Sequence, residues 1–208
     1  MNTGFQTRSK TFKSIITMAL SLMTAVVLTG CGVQSIPTSK NSTEAALAEI
    51  TNQYKRRADL IPNLVQVVKG YAKHEESTLT GVIEARAKAS QITLDPTKMT
   101  PEKMKEYQAA QGGLSQALGR LMVVSEQYPN LKADTQFRDL QAQLEGTENR
   151  VTVARQRYIE SVKEFNNLVT VPPTSWTNSI LYKNEKMPQW DVAADEKGVI
   201  EKAPSVTF

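Results

Sequence analysis

The sequence has few of the residues that most enzymes and metalloproteins use for chemistry. Its 208 residues include one cysteine, Cys31, and one histidine, His74. One cysteine excludes an intramolecular disulfide framework and a cysteine-based zinc cluster, and one histidine excludes any site that needs two imidazoles. With ten glycines and nine prolines, the chain is neither collagen-like nor of low complexity. We therefore expect an ordinary folded protein with little reactive chemistry.

The first thirty residues have the pattern of a secretory signal. Arg8, Lys10 and Lys13 precede an apolar run over residues 15–28. Such a run rises only about 21 Å as a helix, whereas a hydrocarbon core is about 30 Å thick. The run ends at residues 28–31, Leu-Thr-Gly-Cys, which resemble the bacterial lipobox. We predict a signal peptide over 1–30, lipidation of Cys31, and an exported, membrane-anchored protein; the alternative is a single N-terminal transmembrane anchor.

The positive charge of the chain belongs largely to this signal. Cleavage before Cys31 removes three of the 25 cationic residues and no acid, which leaves 22 cations against 21 acids. A nearly neutral mature chain lacks the electrostatic footprint of a nucleic-acid-binding protein, so we expect no nucleic acid partner. Gly32 follows the cysteine, and in enteric-type sorting that residue predicts the outer membrane.

Helical periodicity dominates the remainder of the chain. The clearest pattern runs over 134–169 with apolar or small residues at alternating steps of three and four, which predicts a helix about 54 Å long with one narrow buried face. These residues are Phe137, Leu140, Leu144, Thr147, Val151, Ala154, Tyr158, Ser161, Phe165 and Leu168. Asp134 or Thr135 is the predicted cap. A helix of this length requires partners of similar length.

Two further segments supply such partners. A similar pattern runs from Leu47 to Ala85, with Pro62 either kinking this helix or starting a second one. After a loop over 91–100, Thr100 and Pro101 predict a helix start, with Thr100 as the N-cap. The buried residues expected for this helix are Met104, Tyr107, Gln111, Leu114, Leu118, Leu121 and Ser125.

These patterns predict an all-α fold: an antiparallel bundle of three to five long helices, anchored to a membrane at its N-terminus. We divide the chain into a signal (1–30), a tether after the lipidated Cys31 (31–41), the bundle (42–171) and a C-terminal segment (172–208). Pro172-Pro173 ends the long helix. The segment with Trp176 and Trp190 is expected to pack back over 172–190, and 191–208 to be mobile.

Candidate reactive residues are few. His74-Glu75 is not a zinc-protease motif, because Thr78 stands where the second histidine would be. We interpret the acid pairs Glu75/Glu76 and Glu145/Glu148 as surface charges. Tyr54, Tyr71, Tyr107 and Tyr158 fall on buried faces and are expected to pack in the core. Arg57 also falls on a buried face, where it either covers apolar surface with its stem or pairs with a carboxylate across the bundle. We predict no catalytic, cofactor-binding or metal-binding residue, and one modification site, Cys31.

One long motif resembles the signature of the LemA family: residues 52–65, Asn-Gln-Tyr-Lys-Arg-Arg-Ala-Asp-Leu-Ile-Pro-Asn-Leu-Val. Further matches lie at 68–75, 84–86, 125–133, 137–141, 148–151 and 154–158. The resemblance implies an antiparallel bundle of long helices on an N-terminal membrane anchor, and it brings no established activity. The chain departs from the family pattern in its lipobox, where a transmembrane anchor is common, and in Leu47, where tryptophan is common.

Together these features predict a non-catalytic scaffold or adaptor of the bacterial cell envelope. Its partners would be membrane lipid, through the anchor, and an envelope protein. Two alternatives stay open: a self-assembling coiled-coil spacer, and an envelope enzyme or ligand-binding protein.

Overall fold

A computed structural model describes residues 4–95 and 99–190 and, within them, leaves out the side chains of residues 4–15, 20 and 22–32. The described chain is helical and contains no strand, as the sequence predicts. The helices are α1 (Gly4–Tyr71), α2 (Glu76–Gln91), α3 (Pro101–Ser125), α4 (Pro129–Ala133), α5 (Thr135–Thr170) and α6 (Thr174–Thr177), followed by a π-helical turn, Asn178–Tyr182. Among the residues whose side chains are described, no helical stretch is long and apolar enough to cross a lipid bilayer.

Helix α1 continues through Pro62, so the break considered at this residue does not occur. Proline in a helix interior is unfavourable by about 3 kcal/mol, and the neighbouring Ile61 and Leu64, both fully buried, offset this. The chain leaves the helix after Tyr71 instead. The expectation that Tyr71 is buried is wrong: the buried positions step from Val68 to Ala72, which leaves Tyr71 exposed.

The predicted starts of α3 and α5 are confirmed. The backbone N–H of Lys103 donates to Thr100 Oγ1 at 3.3 Å, with Pro101 in the first turn of α3. The N–H of Phe137 donates to Asp134 Oδ1 at 2.9 Å, which makes Asp134 the N-cap of α5. All seven residues expected on the inner face of α3 are buried.

Contacts between helices give an up-down-up-down order within the compact unit formed by Ser42–Lys163 and the segment from Met187. Tyr71 contacts Asp134 and Arg57 contacts Glu148, so α1 and α5 are antiparallel. Arg86 of α2 donates to the carbonyl of Ala58 in α1, and Gln111 of α3 donates to the carbonyl of Ala89 in α2. The antiparallel bundle predicted from the sequence is confirmed.

The core of this unit is divided into two apolar clusters. The leucine cluster contains residues from α1 after position 60, α2, α3 after position 113 and the start of α5, among them Leu64, Leu114 and Leu121. The tyrosine cluster contains Tyr54, Tyr107, Tyr158 and their apolar neighbours, with Trp190 packed against it. The two clusters are separated along α1 by the buried side chain of Arg57.

A second compact unit combines the chain up to Asn41 with Glu164–Lys186. Ile36, Phe165 and Val169 are buried in it. Residues 31–41, the expected tether, lie within α1. Tyr182 Oη donates to the carbonyl of Val33 at 2.7 Å and so joins the π-helical turn to α1. The segment 172–190 contains short helical turns, whereas 191–208, which was expected to be mobile, lies outside the described residues.

Candidate functional site

The predicted modification site and the lone histidine lie apart along the chain. Cys31 is part of α1, and its side chain is outside the described set, so its lipidation stays a prediction. His74 is exposed in the turn between α1 and α2. Beside it, Glu75 Oε1 accepts a hydrogen bond from Tyr128 Oη at 3.0 Å. Among the side chains that the structure describes, no group of three or more His, Cys, Asp or Glu could hold a metal ion.

Several polar groups from different helices converge on Arg57. Its Nη1 atom donates to Glu148 Oε2 at 2.6 Å and to Ser115 Oγ at 2.9 Å. Its Nη2 atom donates to Gln111 Oε1 at 3.1 Å and to the Gln111 carbonyl at 3.3 Å. The Gln111 amide nitrogen in turn donates to the Ala89 carbonyl at 3.3 Å. This polar layer, defined as Arg57, Gln111, Ser115 and Glu148, therefore ties α1, α2, α3 and α5 together.

Burial and charge are distributed unequally within the polar layer. The Arg57 side chain is 2% exposed, whereas the Glu148 side chain is 47% exposed. A buried cation requires a nearby anion and hydrogen bonds to replace lost water. Glu148 supplies the anion from the rim, and the Tyr54 ring, with its centroid 4.9 Å from the guanidinium carbon, supplies a cation–π contact. The Nε atom of Arg57 is buried without a hydrogen-bond partner.

A cleft of about 360 Å³ opens beside the polar layer, between α1, α3 and α5. Its polar walls include Arg57, Ser115 and Glu148. Arginine stays protonated in proteins and so is a poor general acid or base. The Ser115 hydroxyl accepts from the Arg57 cation, which does not activate it as a nucleophile. The layer is therefore suited to fixing helix register, which is the best-attested use of buried polar groups.

The tyrosine cluster holds the end of the described chain. The rings of Tyr54 and Trp190 are stacked, with centroids 6.3 Å apart and an interplanar angle of 17°. Tyr107 and Tyr158 each meet Trp190 edge-on at 6.4 Å. Tyr158 Oη donates to the Pro188 carbonyl at 3.0 Å, and Arg155 Nε donates to Tyr54 Oη at 2.9 Å. The segment around Trp190 is thereby attached to α1, α3 and α5.

The buried phenols are held in their neutral form. Burial raises the pKa of Tyr158 to about 12. Burial also raises the pKa of Tyr107 and, against the opposing charge of Arg155, that of Tyr54. None of these hydroxyls ionises near neutral pH, so they act in packing and hydrogen bonding. The expected packing of these three tyrosines is confirmed.

Exposed Tyr71 borders a second, more polar groove. Tyr71 Oη donates to Asp134 Oδ2 at 2.9 Å. This Tyr71 groove has a volume of about 690 Å³. Its walls come from α1 and from the start of α5, and its exposed polar side chains include Gln66 and Gln143. The sequence did not predict this groove, because the helical pattern placed Tyr71 inside the bundle.

The sequence identified Arg57 as a buried cation but did not identify its partners. Of the two alternatives for Arg57, pairing with a carboxylate across the bundle is confirmed. Glu148 was interpreted as one of two neighbouring surface acids. A signal was present: Gln111 is a polar residue on an otherwise apolar face, and Glu148 directly follows the buried Thr147. The sequence does not show which residues of α3 and α5 lie level with Arg57 along the bundle.

Comparison with known proteins agrees with this architecture. The profile of the LemA family matches residues 46–208. "Protein LemA" of Metamycoplasma hominis is 25% identical over 163 residues, which cover 78% of this chain and 68% of that protein. "Magnetosome protein MamQ 2" of Paramagnetospirillum magneticum is 24% identical over 156 residues, covering 67% of this chain and 57% of that protein.

A third relative, "Magnetosome protein MamQ" of Magnetospirillum gryphiswaldense, is 25% identical over 136 residues, which cover 57% of this chain and 50% of the relative. The match to the magnetosome proteins thus spans little more than half of their length. The family profile, in contrast, matches most of this chain and includes Arg57, Gln111, Ser115 and Glu148. The chain belongs to the LemA family.

Proposed function

We propose that this protein is a non-catalytic helical scaffold or adaptor of the bacterial envelope, anchored to a membrane through lipidated Cys31 and binding a partner protein. The observation that carries the proposal is the polar layer. The polar groups that converge on the buried Arg57 guanidinium hold one another: Arg57 is bound by Glu148, Ser115 and Gln111. Because these groups are bound to one another, they fix the register of the helices and are not free to react with a substrate.

The anchor is supported by the sequence motif at residues 28–31 and by its place in the chain. Cys31 belongs to the same helix, α1, as Arg57 and the family motif over 52–65. A lipid attached to Cys31 would therefore be carried by the same helix as Arg57 and the family motif. The names of the relatives, "Protein LemA" and "Magnetosome protein MamQ", state no reaction, which agrees with an adaptor.

The Tyr71 groove is the surface we assign to the partner protein. It has about twice the volume of the cleft beside the polar layer, and exposed polar side chains such as Gln66 line it. The hydrogen bond between Tyr71 and Asp134 fixes one edge of the groove before a partner binds. A preorganised surface of this kind binds without a large loss of conformational entropy.

The test is photocrosslinking in cells with p-benzoylphenylalanine placed at Gln66, and at Glu160 on the exposed side of α5 as the matched control. We expect one discrete adduct with an envelope protein from Gln66 and none from Glu160. An adduct with a second copy of this chain would support the self-assembling spacer instead. Absence of any adduct from Gln66, in cells where the variant is found at normal level in the membrane fraction, would overturn the adaptor proposal.

A further inference from the structure

Large apolar side chains are exposed on the segment that follows α5. Trp176 in α6 is 64% exposed, and Ile180 and Leu181 in the π-helical turn are 74% and 59% exposed. Ile180 and Leu181 follow Trp176 by four and five residues, which is about one turn further along this segment, since its second half is π-helical. Contiguous exposed apolar side chains usually mark a binding surface. We call Trp176, Ile180 and Leu181 the Trp176 patch.

The Trp176 patch lies beside the predicted lipid attachment point. Tyr182, the next residue after Leu181, donates from Oη to the carbonyl of Val33 at 2.7 Å. Val33 is two residues beyond Cys31 along α1 and is itself 44% exposed. The patch and the start of the predicted mature chain belong to the same compact unit. An acyl chain on Cys31 would bring the membrane surface to this part of the protein.

The chemistry of the segment suits a lipid interface better than bulk water. Tryptophan and tyrosine are enriched where headgroups meet acyl chains, because their rings are apolar and their polar atoms reach water. Exposed Lys183 and Lys186 follow the patch directly, with Glu185 between them. Lysines at this position can bind the phosphates of anionic headgroups. Apolar residues followed by lysines are typical of membrane-surface segments.

We propose that the Trp176 patch binds the headgroup–acyl boundary of the membrane next to Cys31, as a second, non-covalent point of attachment. The location of the patch near a membrane rests on the proposed anchoring through Cys31. A diacylglyceryl group on Cys31 carries two acyl chains and already holds a protein stably at a membrane, so the contribution of the patch is to orientation more than to affinity. A second contact would restrict rotation of the protein about its lipid and so orient it on the membrane.

The test uses tryptophan fluorescence in the full-length protein, purified from membranes and reconstituted into phosphatidylethanolamine–phosphatidylglycerol vesicles with or without brominated lipid. The chain has two tryptophans, so Trp190→Phe leaves Trp176 alone and Trp176→Phe leaves Trp190 as the matched control. We expect brominated lipid to quench most Trp176 fluorescence and vesicle binding to shift its emission to shorter wavelength. Trp190 should be spared, because it is packed among tyrosines.

A second pair of variants removes the patch without changing either tryptophan. Ile180→Ser with Leu181→Ser should reduce quenching of Trp176 at least several-fold, whereas serine substitution of exposed Val153 on α5 should leave it unchanged. If Trp190→Phe perturbs folding, the difference between the unchanged protein and Trp176→Phe gives the same measurement. Circular dichroism monitors folding in every case.

Vesicle flotation and the mass of the purified chain separate the two proposals. A protein that floats and carries an acyl mass, but whose Trp176 is not quenched, would overturn the patch and leave the anchor intact. Quenching of Trp176 in a protein without acyl mass would support the patch and overturn the anchor. Protection of Trp176 from aqueous iodide without quenching by brominated lipid would show that the patch is covered by this chain or by a second copy of it, and would overturn its binding to lipid.

Discussion

Arg57 Nη1 and Glu148 Oε2 lie 2.6 Å apart, although 91 residues separate them in sequence. The pair joins α1 to α5 at the level where the leucine cluster gives way to the tyrosine cluster. Because Arg57 is buried and Glu148 is at the rim, the two residues have unequal roles. The arginine is the buried charge that must be compensated, and the glutamate compensates it.

Removal of Glu148 is therefore expected to destabilise the protein. Glu148→Ala leaves Arg57 buried with only Ser115 and Gln111 as side-chain hydrogen-bond partners. Breaking a fully buried ion pair lowers the free energy of unfolding by about 3–5 kcal/mol. Because Glu148 is half exposed and water can replace it, we expect Glu148→Ala to lower the free energy of unfolding by about 1–3 kcal/mol. Urea unfolding of the Cys31→Ser chain, followed by circular dichroism, measures this.

Two comparisons make this prediction specific. Glu145→Ala removes an exposed acid one turn away and should change the unfolding free energy by less than about 0.5 kcal/mol. Arg57→Met combined with Glu148→Ala should recover most of the lost stability, because an apolar residue can replace a buried ion pair. Equal losses in Glu148→Ala and Glu145→Ala would show that the pair has no special role.

The tyrosine cluster predicts a loss of stability at alkaline pH. An unfolded tyrosine ionises near pH 10, whereas burial raises the pKa of folded Tyr158 to about 12. The raised pKa therefore stabilises the folded protein fully below pH 10, and this stabilisation is lost as the pH rises through about 12. At about 1.4 kcal/mol per pKa unit, Tyr158 contributes on the order of 2–3 kcal/mol to the fall in unfolding free energy.

Urea unfolding at pH 9, 10 and 11, with tyrosinate absorbance recorded in parallel, tests the alkaline prediction. Tyr158→Phe should make the unfolding free energy fall less steeply with pH. The matched control is Tyr182→Phe, since Tyr182 is outside the tyrosine cluster and only partly buried. A pH dependence identical in both variants would contradict the assigned role of Tyr158.

Much of the fold could be predicted from the sequence, because long helices repeat one simple rule. The buried face of α3, and that of α5 as far as Tyr158, follow from apolar residues at steps of three and four, and the caps Thr100 and Asp134 follow from local hydrogen bonding. Near its end α5 buries Val162 and Val169, whereas the expected Ser161 and Leu168 are only partly buried. The exit of α1 after Tyr71 could not be predicted, because Glu75 and Thr78 interrupted the pattern no more strongly than Arg57 did. The difference lies in burial, since Arg57 is 2% exposed and finds partners on α3 and α5, whereas Glu75 lies at the edge of the bundle.

The candidate site was less predictable for the same reason. Polar residues within one helix pattern mark positions that need partners, but the partners of Arg57 come from Gln111, Ser115 and Glu148 on two other helices. Their meeting depends on loop lengths and helix offsets, which periodicity does not encode. Trp190 is a similar case, because its contacts with Tyr54 and Arg155 depend on the path of an irregular segment.

The two tryptophans should contribute differently to stability. Trp190→Ala removes a ring that stacks on Tyr54 and lies under Arg155, and we expect it to lower the free energy of unfolding by about 2–3 kcal/mol. Trp176→Ala removes an exposed ring and should change it by less than about 0.5 kcal/mol in water. Thermal or urea unfolding of the two variants compares them directly; equal effects would contradict the assigned packing.

Capping of α5 by Asp134 predicts a loss of stability in acid. The backbone N–H of Phe137 lowers the pKa of Asp134 below its ordinary value, and Tyr71 lowers it further. A carboxyl with a lowered folded pKa stabilises the protein above its unfolded pKa, and the effect is lost as the pH falls through the folded pKa. Asp134→Ala should lower the melting temperature at pH 7, and Asp134→Asn should lower it less because asparagine is also a good cap.

Asp139→Ala provides the control for the cap, since Asp139 lies further along α5, beyond its first turn. Its melting temperature at pH 7 should remain close to that of the unchanged chain. Between pH 6 and pH 2, Asp134→Ala should also show a shallower decline than Asp139→Ala. The same decline in both variants would mean that Asp134 does not cap α5.

The attachment of lipid to Cys31 is the central claim, and metabolic labelling with an alkyne-tagged palmitate tests it most directly. Cells producing the unchanged chain and Cys31→Ser are compared by in-gel fluorescence, and the purified chain is weighed by mass spectrometry. We predict label only in the unchanged chain, with a mature N-terminus at acylated Cys31. Label in Cys31→Ser, or an unmodified cysteine in the protein recovered from membranes, would contradict it.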